Sequence, residues 1–211
     1  LYSLASIHMK QMLIFLACLT TILSHAQKQV IYQLTFSDTS NFRLTTLMDR
    51  KMPNFFFIIS TTQTWDGNRF WLKDFENKQK NAVIQQIQHD EHHPYFHSYL
   101  FANQTLDVLI PDSTKQQLRN KSQTFKRKKI SLNGRNFKTI SSSSTLTGFY
   151  FVTSEPLISD DKKFAFIDMT VFYKENIQQA LDETYFGSIA LVFQMIDGKW
   201  VRIAKKDWLI L

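Results

Sequence analysis

The chain has 211 residues, of which 44% are apolar and 20% charged, and it carries a formal net charge of +7. That length supports one domain with a real core, burying roughly 70% of its extended surface. A single cysteine, Cys18, excludes a disulfide scaffold, and five unclustered glycines exclude a phosphate loop or a dinucleotide-binding turn.

The N-terminal segment reads as an export signal rather than as fold. From Met9 the sequence runs through Lys10 and Gln11 into an apolar stretch over 12–23, then Ser24, His25 and Ala26 before Gln27. A basic start, a short apolar run and small residues before the cut describe a secretory signal peptide. Residues 1–8 stand upstream of Met9 as an initiator, so 1–26 are set apart and 27–211 are expected to form a single domain. The apolar run is too short for a comfortable transmembrane helix, and no later stretch reaches the length of one. A lipobox at Phe15, Leu16, Ala17 and Cys18 is the alternative, with Phe15 standing where Leu or Val is preferred. Either way the expected location is exported, periplasmic or extracellular. Without Lys10 the charge of +7 falls to +6, which favours acidic partners only where it is clustered.

Residues 30–36 alternate in polarity and predict a short strand. The segment 42–52 is ambiguous and Pro53 ends it. A continuous apolar run over 55–59 predicts a buried strand. Asp66, Gly67 and Asn68 offer turn and cap chemistry before a helix over 69–88, with Leu72, Phe75, Val83, Ile84 and Ile87 near one face. Pro94 closes it. Strands are expected over 95–101 and 106–110. A second helix is expected to start at 111–113, with Gln116 three after Ser113 in capping-box spacing, and to run to about Arg119 or beyond. Asn133 and Gly134 predict a turn, and 141–144 a loop leading to Gly148.

The last third predicts a block of antiparallel strands over 149–153, 164–173, 185–196 and 199–204, with a polar turn at 160–163. Asp197-Gly198 between apolar runs is a strong hairpin signal, because Gly accepts the positive φ of a primed turn. Such a turn sets Met195 opposite Trp200 and Val192 opposite Ile203. The fold class is α+β: an antiparallel sheet, completed by 149–204, covered by about two helices from the N-terminal half.

In this block Ser154, Glu155 and Pro156 lead to Ile158, Ser159 and Asp160, then Lys163, Phe164 and Ala165. Phe186, Gly187 and Ser188 follow, then Asp197 to Trp200 and the closing Trp208. The pattern resembles a group of uncharacterised secreted proteins of Bacteroidetes, and Asp74 to Asn77 resembles their polar helix. Members often carry a Gly- or Cys-containing segment before the third strand; here only Gly187 remains. The resemblance implies a sheet with helices and an exported location, and it brings no catalytic residues.

Three constellations are candidates for chemistry. Every histidine after residue 26 falls in one short run, His89, His92, His93 and His97. The first three stand at i, i+3 and i+4, so a helix ending there places three imidazoles on one side, suited to Zn, Ni or Cu, with Asp90 or Glu91 adding oxygen. Pro94 breaks that geometry before His97, and no His-Glu-x-x-His is present. The alternative is a solvated helix end, where protonated histidine is favoured by the macrodipole. No other cofactor is called for.

The second constellation is charge. Between Ser113 and Ser154 there is no acidic residue, whereas Lys115, Arg119, Lys121, Lys126, Arg127, Lys128, Lys129, Arg135 and Lys138 are basic. Such a stretch attracts phosphates or sulfated and carboxylated polymers, with Lys126, Arg127, Lys128, Lys129 and Arg135 as the anion contacts. Phe125 and Phe137 either stack on a ligand or anchor the segment. The plainer alternative is a solvated face whose counter-charges are Asp160, Asp161, Asp182 and Glu183. For an exported protein an anionic envelope component or glycan is the expected partner, and nucleic acid is not.

The third is a hydrolytic pair. Glu155 sits at a strand end and Asp168 interrupts an apolar strand, and a buried carboxyl with a raised pKa would serve as a general acid. Asp168 shares its face with Phe164, Phe166, Thr170 and Phe172, which would equally suit a half-solvated outer face. Trp65, Trp71, Trp200 and Trp208 are either a stacking platform for sugars or packing residues. The leading expectation is a non-enzymatic envelope or surface binding module that uses 115–138. A metal-binding envelope protein is the second reading, and a hydrolase the third.

Overall fold

Ile31, Tyr32, Thr35 and Phe36 are all buried, and their spacing places them on one side of a helix, not on one side of a strand. In the computed structural model, which describes residues 2–42, 55–65, 104–144, 146–175 and 183–209, they belong to helix α1 (Tyr2–Ser37). The strand expected over 30–36 is therefore corrected to helix. Apolar and polar residues alternate only locally there, while the pairs 31/32 and 35/36 repeat at four residues, and that repeat decides which side meets the core.

The end of α1 is closed by its own sequel. Asn41 Nδ2 donates to the carbonyls of Thr35 at 2.7 Å and Leu34 at 3.3 Å, satisfying acceptors that a helix terminus leaves open. The Ser40 N–H donates to Asp38 Oδ1 at 2.9 Å, and a 3-10 turn (Thr39–Phe42) delivers Phe42 to the core. Phe42 stacks on Phe36 at 5.9 Å and meets Phe56 at 4.8 Å and Phe151 at 4.9 Å.

The strands are β1 (Phe56–Ile59), β2 (Phe137–Ile140), β3 (Gly148–Thr153), β4 (Leu157–Ile158), β5 (Phe164–Lys174), β6 (Glu183–Ile196) and β7 (Lys199–Leu209). They form one sheet in the order β2-β1-β3-β5-β6-β7, with β4 pairing β5. β1 lies between β2 and β3 and is parallel to both, and all other pairs are antiparallel. The strand expected over 55–59 is present as Phe56–Ile59, with Phe56 and Ile58 buried, Phe57 and Ile59 half-buried and Phe55 exposed outside it. The four C-terminal strands stand as expected, with β7 running on to Leu209. The helix over 69–88 and the strand over 95–101 lie outside the described residues.

The β6–β7 hairpin turns at Asp197 (φ 49°) and Gly198 (φ 75°), the two positive φ values of a primed turn. Met195 pairs with Trp200 as the turn requires, but Val192 pairs with Ala204 and not with Ile203. The register shifts between Val192 and Phe193, which leaves Ile203 as the extra residue of a β-bulge. A two-residue turn fixes register only until the first bulge.

Both faces of the sheet are covered. One packs Ile31, Tyr32 and Phe36 of α1 against Phe56, Ile58, Phe137, Phe151, Ile167, Met169, Leu191 and Trp200. On the other, Trp65, Leu106, Ile110 and Leu118 pack on Leu157, Phe164, Phe166, Ala190 and Val192. Leu106 lies in helix α2 (Gln104–Leu109) and Leu118 in helix α3 (Asp112–Thr124). The strand expected over 106–110 is thus also corrected to helix. α3 confirms the second expected helix without its capping box: Pro111 is the N-cap, and no side chain caps the turn. Pro111 removes one of the four N–H groups that a helix start leaves open, and those of Asp112, Ser113 and Thr114 receive no cap from the Pro111 side chain. Among the residues whose side chains are described, no helix is long and apolar enough to cross a membrane.

Candidate functional site

After α3 the chain runs extended along the end of β1. Thr62 N–H donates to Lys128 O at 2.8 Å, Lys128 N–H to Thr62 Oγ1 at 2.8 Å, and Ile130 N–H to Ser60 O at 2.7 Å. Leu132 then returns to β2, taking the Thr139 N–H on its carbonyl at 2.9 Å, and Gly134 N–H closes the turn on Phe137 O at 2.9 Å. The expected Asn133-Gly134 turn is present. This backbone lattice presents Lys126, Arg127, Lys128, Lys129 and Arg135 as exposed side chains along the β2 side of the sheet.

The basic stretch divides into two kinds of residue. Lys115 is buried and pairs with Asp112 at 2.9 Å, and Lys121 pairs with Asp160 and donates to Ile158 O at 2.9 Å. Those two hold α3 in place, and Arg119 between them is half-buried with its Nη1 lacking a hydrogen-bond partner, so the run of exposed cations begins at Lys126. Lys126, Arg127, Lys129, Arg135 and Lys138 make no ion pair among the described residues. Of the expected counter-charges, Asp160 is engaged by α3. Of the two interleaved aromatics, Phe137 is a core anchor and Phe125 lies under two ammonium groups, 5.7 Å from Lys28 Nζ and 6.0 Å from Lys128 Nζ.

Lys128 differs from its neighbours because Glu155 faces it. Glu155 occupies the bend between β3 and β4, where its backbone is fixed from both sides of the sheet. Tyr32 OH donates to Ser154 O at 3.2 Å from α1, and Trp65 Nε1 donates to Glu155 O at 2.9 Å from the opposite layer. Lys28 Nζ reaches Glu155 Oε1 at 2.6 Å, and Lys128 Nζ lies 2.9 Å from Oε2. Burial acts to raise the Glu155 carboxyl, but the hydrogen bonds and charges of Lys28 and Lys128 outweigh it and hold the group below the ordinary carboxylate range. The Tyr32 phenol is pushed far up, by burial first and by the Glu155 charge second.

This overturns the raised-pKa expectation for Glu155. A carboxyl clamped between two ammonium groups is ionised at neutral pH and has no proton to give. Asp168 is buried, so the half-solvated alternative for its face does not hold, and its Oδ2 takes a hydrogen bond from Gln63 Nε2 at 3.1 Å. Gln63 Oε1 in turn accepts from Thr170 Oγ1 at 2.6 Å, and Asp168 N–H donates to Ser154 Oγ at 2.9 Å. The two Gln63 bonds tie the 63–65 segment to β5, and the Ser154 bond ties the β3–β4 bend to it. Trp65 and Trp200 are buried packing residues, not an exposed platform.

A cavity of 360 Å³ opens at the junction of α1, the basic segment and Glu155, lined by Lys28, Gln29, Tyr32, Lys128, Lys129 and Glu155 among others. His25 lines it as well, from within the segment read as an export signal. Lys28 and Tyr32 had no signal in the strand reading of 30–36. A helical reading places Lys28 one turn before Tyr32 on the same side and would have found both. His89, His92, His93 and His97 lie outside the described residues. Among the described residues no group of three or more His, Cys, Asp or Glu is placed to hold a metal ion. Compared with protein-family models, curated proteins and solved structures, the chain matches none.

Proposed function

We propose that this chain is a non-enzymatic binding module that engages an anionic partner through Lys126, Arg127, Lys129 and Arg135, with Lys128 at the inner edge. The observation that carries the reading is the division within the basic stretch. On α3, Lys115 and Lys121 spend their charge on internal partners, while Lys126, Arg127, Lys129 and Arg135 after it are exposed and make no ion pair among the described residues. Unneutralised cations held on a fixed backbone cost electrostatic free energy in isolation, and a polyanion relieves that cost while releasing its own counterions. Export belongs to the same proposal, supported by the pattern over 9–26 and by the resemblance of the C-terminal block to secreted proteins. An anionic glycan or an envelope component is the class of partner that fits both.

The reading is tested by titrating the full chain with a sulfated and with a carboxylated polysaccharide over a range of salt. Binding whose logarithm falls linearly with the logarithm of salt concentration supports it, with a slope near the number of contacting cations. Binding that is absent at low salt, or indifferent to salt, contradicts it.

A further inference from the structure

Resting on that reading, we infer that the 360 Å³ cavity between α1 and the basic segment is a seat for a phosphate dianion, with Glu155 as its built-in counter-ion. The volume falls within the range of small-ligand sites. Its lining holds three lysines, Lys28, Lys128 and Lys129, against one carboxylate, Glu155, so a formal surplus of two positive charges remains. Two of these ammonium groups are already positioned by Glu155, at 2.6 Å and 2.9 Å, and Phe125 lies beneath both. The side chain of Glu155 is only 10% exposed, whereas that of Lys128 is 57% exposed, so the ammonium can turn outward to a ligand while the carboxylate stays where it is. Gln29 and Ser131 add polar side chains to the same lining.

Charge selects the ligand class. A monoanion leaves the surplus half neutralised, whereas a dianion matches it. Lysines bind phosphate as point charges and need no bidentate fork. The phosphate is either free or the terminal group of a larger molecule, such as a lipid headgroup lying along the basic segment.

The test is calorimetric titration of the full chain with inorganic phosphate in low-chloride buffer. It uses wild type, Lys129→Glu, Glu155→Gln and the double variant Lys126→Glu/Arg127→Glu. One phosphate per chain is expected. Lys129→Glu, an exposed substitution that leaves the fold alone, is expected to weaken it by at least about tenfold. Glu155→Gln is expected to tighten it several-fold, and the double variant to leave it nearly unchanged while losing polysaccharide binding. Phosphate uptake without polysaccharide binding in the wild type retires the surface reading and keeps the cavity. Polysaccharide binding with no phosphate uptake does the reverse. Equal phosphate binding by wild type and Lys129→Glu also overturns the cavity assignment. Phosphatidylcholine vesicles doped with phosphatidic acid separate the sources. Vesicle binding that inorganic phosphate competes away marks a headgroup, and phosphate uptake without vesicle binding marks a soluble ligand; both support the site.

Discussion

Lys28 Nζ donates to Glu155 Oε1 at 2.6 Å across 127 positions of the chain, joining the packed end of α1 to the bend between β3 and β4. The bond has a pH signature. The Glu155 carboxyl is held below its ordinary value, so its stabilising contribution is complete above the unfolded value of about 4.3 and is lost as pH falls through the lower folded value. Glu155→Gln and Lys28→Ala are each expected to cost about 1–2 kcal/mol at pH 7, the low end for a hydrogen bond to a charged group because Lys28 is partly solvated. The Glu155→Gln deficit should shrink toward zero as the pH drops below that folded value. Urea midpoints at a series of pH values check both.

Asp207 carries the opposite sign. Burial pushes its carboxyl above the ordinary range despite Lys205 at 3.2 Å and the charge of Lys206, and its Oδ1 is buried without a hydrogen-bond partner. A raised folded value means that the ionised form disfavours folding above it, and that the penalty fades as pH falls through it. Asp207→Asn is expected to be neutral to stabilising at pH 7, by up to about 1 kcal/mol after solvent screening, with no benefit near pH 3. Thermal melts at the two pH values read this directly.

Gly134 is required by what lies beside it. A Cβ there would stand 2.8 Å from Phe137 Cδ1 and closer still to Cε1 and Cζ. That ring is buried between Phe36 and Phe56 and has no room to retreat. Gly134→Ala should cost about 1–3 kcal/mol, the range for overpacking, seen as a lowered denaturation midpoint with an unchanged slope.

Gly198 is required for a different reason. A Cβ would meet nothing within 4 Å, but φ is +75°. Gly198→Ala should cost about 1–2 kcal/mol of backbone strain, and Gly198→Asn distinctly less, since Asn tolerates that region.

The four main C-terminal strands were legible because each is apolar and bounded by turn chemistry, so local pattern and tertiary role agree; the two-residue β4 is too short to carry such a pattern. Two short segments misled. In 30–36 a local alternation hid the 31/32 and 35/36 repeat, and in 106–110 a brief apolar run had no period long enough to separate strand from helix. Ile203 could not be foreseen as a bulge, because its apolar side chain fits either register. Of the candidate site, the exposed cations were visible as a run of basic residues. Their partner was not: Glu155 stands far away in sequence, and only the fold brings it to Lys28 and Lys128. The same distance concealed that two lysines already neutralise the residue proposed as an acid.

The most direct measurement is the salt concentration at which the full chain leaves a sulfated-polysaccharide column, compared for two charge reversals of equal size. Lys126→Glu/Arg127→Glu alters the exposed segment after α3. Lys162→Glu/Lys199→Glu alters the β4–β5 and β6–β7 turns, away from the β2 side of the sheet. Binding through the segment requires the first variant to elute at far lower salt than wild type and the second to elute close to it. Equal shifts in both would mean that net charge alone is felt, and would contradict a binding surface at 126–129.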